Sequence, residues 1–131
     1  MSRYNYARIL LVEDDESRCA WFRERFVGRT IDVTCEASQA VAWLAEREYS
    51  IILLDHDLIE EHYFSDEPDD GRTGYAVAAW LAQHTDCQRD ATIIVHSLNY
   101  HGAARMLDVL REAGRDAEHI PFPHLVSNLR F

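Results

Sequence analysis

The chain has 131 residues, which is enough for one domain with a buried core and too few for two. Its 23 acidic and 13 basic residues give a formal net charge of −10, which excludes a general electrostatic affinity for DNA or for an anionic membrane. All 13 basic residues are arginines, so mechanisms that need a lysine amine are excluded as well.

Short apolar runs alternate with amphipathic segments along the chain, the pattern of an α/β domain with a parallel sheet. The apolar runs predict five strands, at about residues 8–12, 31–35, 49–54, 91–95 and 118–120. The amphipathic segments predict four helices, beginning near Glu16, Ser38, Tyr75 and Gly102, and a fifth, truncated helix of about two turns at most. We therefore predict a single doubly wound sheet with the strand order 2-1-3-4-5. The one domain spans 1–131, with a core at about 6–123, an acidic loop at 56–73 and a short tail at 124–131.

Acidic residues follow two of the predicted strands. Glu13 and Asp14 follow the first strand, and Asp55 follows the third. In a sheet of this order the carboxyl ends of these two strands meet at the point where the strand order reverses, which is where ligands bind. Three converging carboxylates repel one another unless they share a cation, and hard oxygen ligands suit Mg²⁺ or a similar divalent ion. The alternative is that these acids are solvated loop residues.

Two segments carry a resemblance to a known family. Ile9-Leu10-Leu11-Val12-Glu13-Asp14-Asp15 and Ile51-Ile52-Leu53-Leu54-Asp55 resemble the receiver domain of bacterial response regulators, over about residues 6–123. The resemblance implies the flavodoxin-like receiver fold and makes Asp55 the acceptor of a phosphoryl group. It also implies an acidic pair, Glu13 and Asp14, that holds Mg²⁺ (or Mn²⁺), with a further metal contact from the backbone carbonyl of Asp57. Ser97 would hydrogen-bond the phosphoryl group, and the donor would be a histidine kinase or a small phosphodonor.

Other motifs are similar to a divergent branch of receiver-like domains proposed to process cyclic phosphates. They are Leu54-Asp55-His56-Asp57-Leu58, Thr73-Gly74-Tyr75-Ala76-Val77-Ala78 and Val95-His96-Ser97-Leu98-Asn99. In this branch His56 or His96 would act as a general acid or base beside a metal-bound phosphate, because imidazole titrates near neutrality. Both histidines have a structural alternative, Asp57 is equally interpretable as a turn residue, and Asn99 as a helix N-cap.

The chain also departs from ordinary receivers. Where the family has Lys-Pro after the fifth strand, the matching pair here is Ile120-Pro121, so the phosphoryl group lacks its usual cationic partner. Arg72 and Arg105 are the candidates for the missing positive charge. The acidic loop does not fit the spacing of a calcium-binding EF-hand, and we interpret it as a solvated, mobile segment or a lid.

Three functional hypotheses follow. The first is an atypical, stand-alone receiver that accepts a phosphoryl group on Asp55, and we rank it first because its residue match lacks only the lysine. The second is a metal-dependent enzyme that acts on a cyclic phosphate, of a nucleotide or an RNA end, in the same pocket. The third is an interaction module with an inactive site.

The cysteines and the N-terminal residues indicate the cellular compartment of the protein. Three cysteines, an odd number, indicate a reducing compartment, and no segment has the length and apolarity of a signal peptide or a membrane span. We therefore expect a cytoplasmic protein without membrane partners.

Overall fold

Five parallel strands form one sheet in the computed structural model, which describes residues 8–58 and 71–128. The strands are β1 (Arg8–Val12), β2 (Thr30–Thr34), β3 (Ile51–Leu54), β4 (Thr92–Val95) and β5 (Ala117–His119). Their order in the sheet is β2-β1-β3-β4-β5, which confirms the predicted doubly wound topology. Most of the acidic loop, residues 59–70, lies outside the described residues, as do residues 129–131 of the predicted tail.

Five helices connect and cover the described strands. They are α1 (Glu16–Arg25), α2 (Ala37–Glu46), α3 (Gly74–Gln83), α4 (Tyr100–Glu112) and α5 (Phe122–Asn128). Asp15 and Thr73 cap α1 and α3 by accepting hydrogen bonds from backbone N–H groups of the first turn. The second helix, predicted to begin near Ser38 with that serine as its cap, begins at Ala37 instead: Glu36 is the N-cap residue, and its side chain makes no capping hydrogen bond. None of the described helices is long and apolar enough to cross a membrane.

The core lies on both faces of the sheet. Residues of the central strands alternate between the two faces, so that Leu10 and Val12 face α2, α3 and α4 while Ile9 and Leu11 face α1 and α5. All four side chains are fully buried. Strands covered on both faces have near-continuous apolar sequences, which explains why β1 and β3 could be predicted from composition alone. The helices on the two faces also hold the strands in register at their carboxyl ends, where the candidate site lies.

Candidate functional site

Strand register brings three polar side chains together at the carboxyl edge of the sheet. Val12 pairs with Leu54 of β3, and Leu54 pairs with Val95 of β4, so the next residue of each strand continues the same row. Those next residues are Glu13, Asp55 and His96, and backbone hydrogen bonds of 3.0 Å from Asp55 to β1 and from His96 to β3 extend the pairing to them. Each is at most 5% exposed. We call these three residues the cation cluster.

Glu13 is the most heavily hydrogen-bonded member of the cation cluster. Its Oε1 accepts from Arg18 Nε at 2.7 Å and pairs with His96 Nε2 at 3.0 Å. Its Oε2 accepts from Arg18 Nη2 at 3.1 Å and from the backbone N–H groups of Asp14 and Asp15 at 3.0 and 3.2 Å. Burial alone would raise the pKa of Glu13, but the hydrogen bonds from His96 and Arg18 outweigh burial and hold it well below its ordinary value. Glu13 is therefore a buried, ionised carboxylate.

Arg18 supplies positive charge to the site, and the sequence analysis did not single it out. Besides its two bonds to Glu13, its Nη2 lies 3.6 Å from Oδ2 of Asp55. The guanidinium therefore lies between the two buried carboxylates and provides the kind of charge that a lysine would. Of the two arginines predicted for this role, Arg105 lies over the ring of Tyr75, with 4.4 Å between the guanidinium carbon and the ring centroid. The signal for Arg18 was its position, five residues after Glu13 and in the first turn of the helix that follows β1.

Asp55 is buried and closely packed by its neighbours. Its Oδ1 accepts a hydrogen bond of 2.8 Å from the backbone N–H of His56. A Cβ atom on Gly74 would lie 1.8 Å from the carbonyl oxygen of Asp55, so α3 can begin this close to β3 only with glycine. Burial, reinforced by the negative charge of Glu13, raises the pKa of Asp55 to about 8. The Asp55 carboxyl group therefore holds its proton more tightly than an ordinary aspartate, even with Arg18 beside it.

A second cluster lies beside Asp55. His56 Nδ1 contacts Asp57 Oδ1 at 2.8 Å, and the Asn99 amide lies 3.3 Å from both atoms. Asn99 is also the N-cap of α4, as predicted, because its Oδ1 accepts from the N–H of Gly102 at 2.9 Å. A Cβ atom on Gly102 would lie 2.5 Å from the His56 ring, so this glycine leaves the space that the imidazole occupies. We call His56, Asp57 and Asn99 the His56 cluster.

Ser97 directly follows His96 of the cation cluster and stands two residues before Asn99 of the His56 cluster. Its side chain is buried, and its Oγ accepts a hydrogen bond of 2.9 Å from the backbone N–H of Asn99. Its carbonyl oxygen contacts Nε2 of His119 at 2.8 Å. The hydroxyl can still donate a hydrogen bond, so its predicted role toward a phosphoryl group stays a prediction.

Two buried nitrogens have no hydrogen-bond partner among the residues that the structure describes, His56 Nε2 and His96 Nδ1. In each histidine the other ring nitrogen contacts a carboxylate oxygen, of Asp57 and of Glu13 respectively. A buried polar atom without a partner costs about 1–3 kcal/mol. Both such atoms belong to histidines next to the buried carboxylates, which indicates that they take part in something other than folding.

The cation cluster has the donor atoms of a metal site. One potential ligand atom from each of Glu13, Asp55 and His96 lies within 4.8 Å of the others. Two carboxylates and an imidazole fit a first-row divalent ion such as Mn²⁺, and less closely Mg²⁺, which prefers oxygen alone. The predicted ligand Asp14 is half-buried beside Glu13 and outside this group of three. The carboxylate of Asp57 belongs to the His56 cluster, and the role predicted for its backbone carbonyl stays a prediction.

The fold and the arrangement of the site together define a class of protein. A 2-1-3-4-5 parallel sheet with a buried aspartate after β3, an acid after β1 and a hydroxyl after β4 is a receiver domain of the response-regulator type. Similar solved structures include the receiver domain of a sensor histidine kinase from Pseudomonas aeruginosa PAO1, with a magnesium ion coordinated in its active-site cleft. It is 22% identical with a TM-score of 0.63, over 90% of this chain and 86% of that one.

Two further solved structures agree. The non-phosphorylated HemR receiver domain from Leptospira biflexa is 23% identical with a TM-score of 0.63, over 92% of this chain and 86% of that one. The signal receiver domain of a putative LuxO repressor protein from Vibrio parahaemolyticus is 22% identical with a TM-score of 0.62, over 90% and 79%. At these identities the likeness shows the fold.

The family is more specific than the class. The family model described as the cyclic-phosphate processing receiver domain matches residues 9–112, and the chain belongs to that family. The predicted resemblance is thereby confirmed. A comparison with curated proteins finds no match.

Proposed function

We propose that this protein is a metal-dependent enzyme that opens cyclic phosphates by hydrolysis at the edge of the sheet where Asp55 lies. The observation that carries the proposal is the state of His56. Asp57 fixes its Nδ1, while its Nε2 has no partner among the described residues. A carboxylate that holds one imidazole nitrogen and leaves the other without a hydrogen-bond partner is the arrangement of a general base. The family to which the chain belongs supports the same chemistry.

The roles of the other residues follow from their contacts. Glu13, Asp55 and His96 would hold the divalent ion, which would bind the phosphate oxygens and offset their charge. Arg18, already 3.6 Å from Asp55, would add a second positive charge beside the phosphate. In the reaction, water adds its oxygen to phosphorus, and the ester bond to one ring oxygen breaks. His56 takes the proton of the attacking water, and the freed ring oxygen gains a proton from solvent.

A phosphorus NMR experiment tests this proposal. After incubation with Mn²⁺ and a nucleoside 2′,3′-cyclic phosphate, and removal of the paramagnetic ion with a chelating resin, the cyclic ester signal should be replaced by that of a monoester. His56→Gln should slow the conversion by about 10²–10⁴-fold. His84→Gln is the matched control, because His84 is an exposed histidine at the end of α3. Equal rates for both variants, or no conversion by the unaltered protein, would refute the proposal.

A second candidate function is supported by the position of Asp55 itself. It follows β3 beside Arg18, in the place of the phosphoacceptor in receiver domains, with Ser97 after β4. In this function an oxygen of Asp55 bonds to the phosphorus of a donor, a histidine kinase or acetyl phosphate, and the donor's bond to that phosphorus breaks. A hydroxylamine-sensitive mass gain of one phosphoryl group, lost in Asp55→Asn, would show it. Mass gain without opening of a cyclic phosphate would favour this function over the enzyme.

A further inference from the structure

A cavity of about 450 Å³, widely open to solvent, lies at the ends of β1 and β2, against the first two turns of α2. The volume lies in the range of small-molecule sites. Glu13 and Asp14 line one side, so the cavity lies next to the candidate site. The rest of the lining comes from the end of β2 and from α2, namely Val33, Thr34, Cys35, Glu36, Gln39 and Trp43. We call it the β2–α2 cavity.

Trp43 gives the β2–α2 cavity a fixed aromatic wall. Its ring is half-buried and packs against the core cluster on the α2 face. The guanidinium of Arg47 lies 5.2 Å from the ring centroid, and Arg47 is held in turn by Asp32 at 3.1 Å. An indole fixed in this way offers contact area to a planar ligand at little cost in conformational entropy.

The polar lining can both donate and accept hydrogen bonds. The cap residue of α2, Glu36, makes no side-chain hydrogen bond to the first-turn N–H groups, and these donors point toward the N-terminal end of the helix, which lies at the cavity. Gln39 adds an amide that can donate and accept, and the carboxylates of Asp14 and Glu36 accept. No arginine or histidine is among the lining residues that the structure describes, which disfavours an anionic group in the cavity. A flat, uncharged ring with an amino group and ring acceptors matches this pattern.

We propose that the β2–α2 cavity binds the nucleobase of the substrate, with preference for an amino-bearing base such as adenine. The placement of this base within a cyclic-phosphate substrate rests on the proposed function. Because the cavity and the cation cluster share Glu13, a base in the cavity and a phosphate at Asp55 belong to neighbouring parts of one site. A nucleotide fits that pairing, since its flat base and its charged phosphate are separated by a sugar.

Titration with adenosine and with uridine, which carry no phosphate, tests the cavity apart from any reaction. Chemical shifts of the Trp43 indole N–H and of the backbone N–H groups at the start of α2 report binding, and the backbone signals serve in the Trp43 variant. Adenosine should shift the Trp43 signal, and uridine, which lacks the amino group, should bind about fivefold more weakly or worse. Trp43→Leu should weaken adenosine binding at least about tenfold, and Gln39→Ala about threefold without touching the core. Trp80→Phe is the control, because Trp80 stacks on His84 of α3, away from the cavity.

The outcomes separate this proposal from the proposed function. Adenosine binding that depends on Trp43 and Gln39, without opening of any cyclic phosphate, would keep the cavity as a base site and refute the enzyme. The enzyme should also be tested on a nucleoside 2′,3′-cyclic phosphate and on glycerol 1,2-cyclic phosphate, which has no base. If it opens both, and neither Trp43→Leu nor Gln39→Ala changes its preference between them, measured as the kcat/KM for one divided by the kcat/KM for the other, the base site is refuted and the enzyme is kept. Equal binding of adenosine to all variants, or no binding by the unaltered protein, would also overturn it.

Discussion

The molecule contains two histidine–carboxylate pairs of the same chemistry in different surroundings. His96 and Glu13 are 1% and 0% exposed at their side chains, whereas His56 and Asp57 are 12% and 14% exposed. The buried pair shares its carboxylate with Arg18 and two backbone N–H groups, and the second pair shares its carboxylate with Asn99. Under the proposed function these surroundings suit different roles, in which the His96–Glu13 pair would hold the metal ion and the His56–Asp57 pair would move protons.

The largest effect should come from Glu13→Gln. The substitution keeps the shape but removes the buried charge that pairs with Arg18 and His96, so that the partly buried guanidinium of Arg18 loses its main partner. Breaking a buried ion pair on one side costs about 4 kcal/mol. Urea denaturation should show that loss, and Asp57→Asn, the matched change in the other pair, should cost less than about 1 kcal/mol. Equal costs would remove the distinction between the pairs.

Asp55→Asn should change how stability depends on pH. The pKa of Asp55 rises from 3.8 to about 8 on folding, so the folded state holds its proton between these values. Its contribution to stability is therefore complete below about pH 4 and is lost as pH rises through about 8. Asparagine cannot ionise, so the variant should be more stable than the unaltered protein at pH 9 by several kcal/mol, about 1.4 kcal/mol for each unit by which the pKa is raised, and should gain nothing at pH 4.

Thermal unfolding between pH 4 and pH 9 in a chelating buffer measures this difference. Asp86→Asn is the control, because Asp86 is 95% exposed and its ion pair with Arg89 lies on the surface. A constant difference between Asp55→Asn and the unaltered protein across this range would contradict the predicted proton uptake.

Metal binding should separate the two histidines. His96→Gln removes a member of the cation cluster and should lower Mn²⁺ affinity about 10–100-fold, whereas His56→Gln should leave the affinity within about twofold. Calorimetric titration with Mn²⁺ measures both. Below pH 8, binding should also release about one proton, because Asp55 must ionise to act as a ligand. The opposite order of the two variants would assign the metal to the His56 cluster.

The smallest effect should come from Asp57→Asn. The amide keeps a hydrogen-bond acceptor for His56 Nδ1 but loses the charge, which is worth about 1.5 kcal/mol in a charge-assisted bond. The rate of cyclic-phosphate opening should therefore fall about tenfold, with the KM little changed. A rate equal to that of the unaltered protein would show that Asp57 does not orient the base.

The row of polar residues after the central strands could be predicted because it depends on strand register alone. Once β1 and β3 are recognised as buried runs, Glu13 and Asp55 must follow at the same edge, and His96 follows by the same rule after β4. The role of Arg18 could not be predicted in this way. A long, flexible side chain in the first turn of a helix can point to solvent or inward, and only packing decides between them.

The same limit applies to the His56 cluster and to α2. Whether His56 Nε2 and His96 Nδ1 find hydrogen-bond partners depends on which groups of other elements pack against them. Local sequence patterns do not contain that information. At α2, serine has the stronger intrinsic preference for the cap position, but the helix begins at Ala37, one residue before Ser38, because Ala37 and Ala40 are buried against the sheet. Burial of Ala37 and Ala40 against the sheet therefore determines where α2 begins.

The guanidinium between Glu13 and Asp55 has a consequence for the life of the protein in the cell. Because Arg18 already pairs with Glu13 and lies beside Asp55, we expect the protein to fold and persist while divalent ions are scarce. The amount of protein in the cell would then not depend on the metal supply, and only its proposed metal-dependent activity would change with that supply. A chelator should silence such a protein without exposing it to proteolysis.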